Sequence, residues 1–209
     1  MSFRRYPTLL HEKRVFKMGY KVIAGVDESG RGPLAGPVVA AAVILNKTRF
    51  ENKIDDCKRL TPQARLKAYN EIIKNSIYCV AVVKEDVIDR INIYNATKLA
   101  MQKAVVGLDV KPDYVLIDGK MKISLPCKSH SITRGDRNCL SIASASIIAK
   151  VWRDKIMNRL HKIYPEYGFI NHKGYGTAMH LKALKKYGPT PVHRISFAPV
   201  RTLLKRTPH

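Results

Sequence analysis

Two adjacent carboxylates, Asp27 and Glu28, close the apolar run Val22-Ile23-Ala24-Gly25-Val26 and are followed at once by Ser29-Gly30-Arg31-Gly32-Pro33. Two more aspartates stand in similar settings. Asp118 ends Tyr114-Val115-Leu116-Ile117 and precedes Gly119, and Asp136 follows Arg134-Gly135. Carboxylates gathered in one place raise each other's pKa, and divalent cations are the usual compensation. An all-oxygen ligand set suits Mg2+ or Mn2+. Such a cation pair activates water and stabilises the leaving oxygen in phosphodiester hydrolysis. The glycines after Glu28 let backbone approach a ligand closely. Taken alone, residues 22–33 fit a metal site and a solvated charged turn equally well. Asp118 alone fits a turn cap, and Asp136 alone a salt-bridged loop. Their joint placement at strand ends favours a site. Neighbouring strand side chains face opposite ways. Asp27 and Glu28 are therefore expected to share a site only if the chain leaves regular strand geometry near Glu28.

The elements that must position these groups are legible from pattern. Strands are predicted over 21–27, 37–45, 77–83, 113–118 and 129–133. The second lacks polar alternation, which predicts burial on both faces. Thr61-Pro62 marks a helix start, and that helix is expected to run to about residue 75. A short helix near Asp86, a helix over 92–107 ending at Gly107 and a helix over 177–187 follow. The long helix over 141–164 carries Ile142, Ala145, Ala149, Trp152, Ile156 and Leu160 at helical spacing, stopped by Pro165. Residues 171–176 read as a loop. The class is α/β, a mixed sheet with helices on both faces and a C-terminal helical wall. If the strands bearing carboxylates are neighbours and run the same way, the four groups converge where ligands gather in such sheets. The division expected is a basic stretch over 1–20, a short arm or a weak helix, then a catalytic body over 21–200 and a basic tail over 201–209 that frays.

Charge narrows the partner. The 209 residues hold 38 Lys and Arg against 16 Asp and Glu, a net +22. That is the footprint of a polyanion binder, with nucleic acid as the expected partner. No strongly amphipathic basic helix points to a membrane surface, and no apolar run is long enough to span a bilayer. Cys57, Cys79, Cys127 and Cys139 form no zinc-type spacing and read as reduced thiols. A soluble, cytoplasmic and monomeric protein is expected.

Gly25-Val26-Asp27-Glu28-Ser29-Gly30-Arg31-Gly32-Pro33-Leu34-Ala35-Gly36-Pro37 resembles the opening motif of the ribonuclease HII family. So do Leu116-Ile117-Asp118-Gly119, Gly135-Asp136, the stretch from Ser141 through Val151, His172-Lys173-Gly174-Tyr175-Gly176-Thr177 and His193-Arg194-Ile195-Ser196-Phe197. The resemblance implies a ribonuclease H-like fold with a five-stranded sheet. It implies an endoribonuclease acting on RNA-DNA hybrids and on ribonucleotides embedded in duplex DNA. Cutting would fall 5′ of the ribonucleotide and leave a 5′-phosphate and a 3′-hydroxyl. It implies that Asp27, Glu28, Asp118 and Asp136 are catalytic and hold two Mn2+ or Mg2+ ions. It assigns Gly30, Arg31 and Gly32 to reading the 2′-hydroxyl through backbone, and Tyr175 to stacking on the deoxyribose at the RNA–DNA junction. Lys58 and Lys150 are candidate phosphate contacts. His172 stays outside the catalytic set. The chain departs from the family pattern at Cys57, usually Ser, and at Ser29, commonly Ala. The sister family, ribonuclease HIII, carries Glu where Asp118 stands and a sizeable N-terminal domain. A catalytically inactive nucleic-acid-binding protein is the alternative from another class.

Overall fold

Val38-Val39-Ala40-Ala41-Ala42-Val43-Ile44-Leu45 has no polar face, and it forms a strand, β2 (Val38–Leu45), buried on both sides. The computed structural model describes residues 6–206. β2 pairs antiparallel with β1 (Ile23–Ser29) and with β3 (Ser76–Val83). On the other side of β1, β4 (Tyr114–Asp118) and then β5 (Lys128–Ile132) run parallel to it. The sheet order is β3-β2-β1-β4-β5, the mixed five-stranded sheet expected from sequence.

A long helix lies on each face, joined on one of them by a second helix. The helix α3 (Glu85–Val106) covers Ala24 and Val26 of β1, the even-numbered residues of β2, and Val115 and Ile117 of β4. The other face takes α2 (Pro62–Lys74) and α5 (Leu140–Ile163), which pack on Ala41 and Val43. The start of α5 lies directly on β1. A Cβ at Gly25 would stand 2.3 Å from the carbonyl carbon of Ser141 and 2.4 Å from the Ile142 nitrogen. The caps follow the sequence signals. Thr61 Oγ1 accepts from Ala64 N at 3.2 Å, and Thr177 Oγ1 from His180 N at 3.3 Å. Inside α3 the backbone breaks at Asn92 (φ 66°), whose Oδ1 accepts from Asn95 N at 3.1 Å. The element is thus two helices joined at a capping asparagine, close to the pair expected.

One open alternative is decided and three local expectations change. The segment before β1 contains α1 (Leu10–Lys17), whose Val15 packs with Leu116, Ile132 and Ile142. A short helix, α4 (Gly135–Asn138), carries Asp136 and leads into α5. Residues read as a loop begin inside α6 (Phe169–His172), which follows a 3-10 turn at Pro165–Tyr167. Residues 201–206, expected to fray, belong to α8 (Ala198–Arg206), because Val200 and Leu203 anchor it to an apolar cluster. That cluster also takes Leu34 and Ala35, Met157 of α5, Tyr167, Phe169, and Leu184 of α7 (Ala178–Tyr187). It fastens the C-terminal wall to the turn that follows β1. Residues 1–5 and 207–209 of the expected arm and tail lie outside the described residues.

Candidate active site

β1 does not leave strand geometry at Glu28, and that expectation is corrected. Its register with β2 continues through Glu28↔Ala40 and Ser29↔Val39, and the turn begins at Gly30 with φ +100°. Asp27 therefore lies on the α5 side with Gly25, and Glu28 on the α3 side with Ala24 and Val26. They share a site for a different reason. β4 pairs with β1 only as far as Val26↔Ile117 and ends at Asp118. Beyond that level β1 is flanked on one side only, so side chains from both faces reach the same gap. Both carboxylates line one cleft of about 700 Å³, and Glu28 N–H donates to Asp27 Oδ1 at 2.8 Å.

Asp118 and Asp136 line the same cleft. Asp118 comes from the end of β4. Asp136 comes from α4, and its N–H donates to Asp118 Oδ1 at 3.2 Å. The electrostatics are those of a compressed carboxylate cluster. Burial pushes Asp27 well above the usual carboxylate range, and Glu28 and Asp118 add to the rise. Burial and then Asp118 raise Glu28, against the pull of Arg31, whose Nη1 lies 3.5 Å from Glu28 Oε1. Burial also raises Asp118, opposed by the N–H groups of Asp136, Gly135 and Gly119. Asp136 is pushed up to about 6 by burial, Asp118 and Asp56, with Arg137 and Lys58 opposing. Glu28 Oε2 is buried without a hydrogen-bond partner. Among the described residues no three His, Cys, Asp or Glu side chains are placed closely enough to hold a metal ion as they stand. The donor set nevertheless fits a hard divalent cation. It is all oxygen, its carboxylates raise one another's pKa, and it holds an unsatisfied buried oxygen.

The remaining sequence candidates form the walls. Gly30, Arg31, Gly32, Lys58, Lys150 and Tyr175 all line this cleft. At Lys58 burial works against the charge, but Cys57, Asp56, Asp136 and Asp27 outweigh it and its pKa is raised. Lys150 Nζ donates to Asp154 Oδ1 at 2.8 Å, so its charge is partly committed within α5. Tyr175 is 44% exposed, and a Cβ built at Gly32 would sit 3.6 Å from its ring. Cys57 lines the cleft as a buried thiol, raised by burial and hydrogen-bonded to Ser146, another wall residue. His172 lies outside the cleft. It is buried, with Nε2 2.8 Å from the Tyr167 carbonyl and Nδ1 accepting from Gly174 N at 3.2 Å. It is one of three linked histidines behind the Tyr175 loop. Thr190 N–H donates to His193 Nδ1, His193 Nε2 meets His180 Nε2 at 3.0 Å, and His180 Nδ1 meets the Tyr175 carbonyl at 3.0 Å.

Sequence reasoning missed Arg153. It set Trp152 on the buried face of α5, but Trp152 is 37% exposed and Arg153 is fully buried, next to the Gly30 turn. The available signal was spacing: Arg153 stands four residues after Ala149 and four before Met157, both buried. Arg194, noted only as part of a motif, is also fully buried. Burial and the like charge of Arg153 pull it down to about 9, with Glu85 and Asp89 opposing.

The sequence model of the Ribonuclease HII family matches residues 24–200, a span that contains all four carboxylates, the Gly-Arg-Gly turn and Tyr175. The chain belongs to the ribonuclease HII family. A ribonuclease HII of Caldicellulosiruptor bescii is 51% identical over 187 residues, covering 89% of this chain and 91% of that one. The ribonuclease H2 structure from Pyrococcus horikoshii superposes with a TM-score of 0.76 at 26% identity, covering 89% of this chain and 98% of that chain. A Bst ribonuclease HIII structure in complex with Mn2+ shares the fold, with a TM-score of 0.71 at 19% identity over 88% of this chain and 69% of that one. As a ribonuclease HII family member the protein is an endoribonuclease with a ribonuclease H-like fold, and RNA-DNA duplex is its substrate class. No described helix is long and apolar enough to cross a membrane.

Proposed function

We propose that Asp27, Glu28, Asp118 and Asp136 hold two divalent cations, Mg2+ or Mn2+, and that the cleft cuts on the 5′ side of a ribonucleotide in duplex with DNA. The observation that carries this reading is the cluster itself: a buried Asp27 and three part-buried carboxylates, their pKa values raised by loss of water contact and by one another, with an unpartnered Glu28 Oε2, where β1 and β4 end. Cations bound there would supply an activated water and neutralise the charge growing on the leaving oxygen. The net reaction would be hydrolysis: the water's oxygen joins phosphorus as the bond to the preceding nucleotide's 3′-oxygen breaks, a water proton ends on that oxygen as the 3′-hydroxyl, and the 5′-phosphate stays on the ribonucleotide. The chain's own groups hold the substrate for it. The Gly30-Arg31-Gly32 backbone reads the sugar, through the Arg31 and Gly32 N–H groups that donate to no protein group among the described residues, where the 2′-hydroxyl separates RNA from DNA. Tyr175, exposed above Gly32, packs on the neighbouring deoxyribose. Lys58 and Lys150 bind phosphates at the cleft wall. The catalytic unit is residues 21–200 of a single chain acting as a monomer, and four free thiols suit the cytoplasm.

The test is a labelled DNA duplex with one ribonucleotide, incubated with Mg2+ or Mn2+ beside an all-DNA control. A single cut 5′ of the ribonucleotide, leaving a 3′-hydroxyl, is expected, with the control intact. An uncut substrate at high enzyme concentration with both metals would leave a nucleic-acid-binding protein instead.

A further inference from the structure

Arg153 and Arg194 are the two largest fully buried side chains, and neither forms an ion pair with a carboxylate among the described residues. Burying a charge without a counter-ion is costly unless its donors are all satisfied. Here backbone carbonyls satisfy them. Arg153 donates from Nε to Pro37 O at 3.0 Å, from Nη2 to Ala35 O at 3.1 Å and from Nη1 to Lys173 O at 3.0 Å. Arg194 donates from Nε to Gly36 O at 2.9 Å, from Nη1 to Arg31 O at 2.9 Å and from Nη2 to Gly30 O at 2.6 Å. All but one of these acceptors lie in the turn that follows β1. The exception, Lys173 O, is two residues before Tyr175.

The consequence lies in peptide geometry. In a trans peptide the C=O and the N–H of the next residue point to opposite sides of the chain. With the Gly30 and Arg31 carbonyls turned inward onto Arg194, the N–H groups of Arg31 and Gly32 point away from it. Arg31 and Gly32 are exposed, and neither N–H donates to another protein group among the described residues. The arginines also account for a glycine. A Cβ at Gly30 would stand 2.1 Å from Arg153 Nε. Arginine is required because only a planar fork reaches several carbonyls in fixed directions; an ammonium is a single point.

We propose that Arg153 and Arg194 are positioning residues for ribonucleotide selection: together they aim the Arg31 and Gly32 N–H groups at the substrate sugar and hold the Tyr175 loop in register with them. This rests on the reading of the cleft given above and adds two residues that never touch the substrate. A merely structural arginine would weaken cleavage of every substrate alike. A positioning pair affects most the substrate that offers one 2′-hydroxyl at one junction.

The experiment compares wild type with Arg194→Lys and Arg153→Lys. Cleavage is measured on a DNA duplex holding one ribonucleotide and on a uniform RNA-DNA hybrid, and melting temperature is measured in parallel. For each variant the ratio of single-ribonucleotide to hybrid kcat/KM is expected to fall by about tenfold, the size of effect that small misplacement of a binding group produces. Equal losses on both substrates, or an unchanged ratio, would overturn the proposal. A wild type that cuts neither substrate would instead remove the underlying cleft assignment. Should a lysine variant fail to fold, the wild type answers by NMR without divalent metal. The Arg153 and Arg194 Nε–H resonances are expected to shift on adding the single-ribonucleotide duplex and not on adding an all-DNA duplex. Identical responses to the two duplexes would refute the proposal.

Discussion

Asp27 is held where a carboxylate is least comfortable, out of water and beside two others. Its folded-state pKa lies above the unfolded value, so its ionised form costs the fold stability at neutral pH. Asp27→Asn removes that repulsion together with one of the proposed metal ligands. The variant should melt at a higher temperature than wild type in the absence of metal, and it should bind duplex normally yet lose cleavage. A lower melting point or retained activity would count against the metal cluster. Tyr175 makes the opposite case. Because it is half-exposed, Tyr175→Ala should shift stability by no more than about 0.5 kcal/mol. Loss of a stacking ring should nevertheless cost roughly tenfold in cleavage at a lone ribonucleotide. Parallel urea melts and single-turnover rates separate the two effects, and an unchanged rate would remove the role assigned to the ring.

The contact between α5 and β1 is the element-scale counterpart. A Cβ at Gly25 would fall among backbone atoms of Ser141 and Ile142, which cannot rotate away. Gly25→Ala should therefore destabilise by about 3 kcal/mol or more, measurable as a lower urea midpoint; a neutral result would mean that the helix can slide. The histidines behind the Tyr175 loop give the C-terminal elements a pH limit. Burial lowers His180 to about 4, with His172 adding to the fall, and burial with His180 lowers His193 to about 4. Their folded pKa lies below the usual 6.5, so between those values the unfolded chain binds more protons. The stability they contribute is complete above pH 6.5 and is lost as pH falls toward 4. Melting temperatures across that range check the direction, and His193→Gln should flatten the slope. These elements were partly legible beforehand. Thr61, Thr177 and Pro165 mark real boundaries because caps and stops act locally. The continuation of β1 through Glu28 was not legible, because the gap there depends on where β4 ends, and strand register is a long-range property. The depth of Arg153 was hidden for a similar reason. A charged residue in helical phase reads as solvated until its acceptors, more than a hundred residues away in Ala35 and Pro37, are seen.

At the scale of the whole molecule, the net charge of +22 surrounds a cleft whose centre is acidic. Binding and cutting are thus assigned to different charges. Duplex affinity of Asp27→Asn, read by fluorescence anisotropy, should fall steeply with salt, by about a thousandfold between roughly 50 and 200 mM if six or more phosphates are contacted. A flat dependence would move the docking face away from the basic surface.

The contact between Gly30 and Arg194 joins residues 164 positions apart. A ribosome lays down the recognition turn early and supplies its clamp only after residue 194 has been added. By then the last of the four carboxylates, Asp136, has long been in place. The order of synthesis thus delivers the four carboxylates proposed to cut before the arginine proposed to set where they cut.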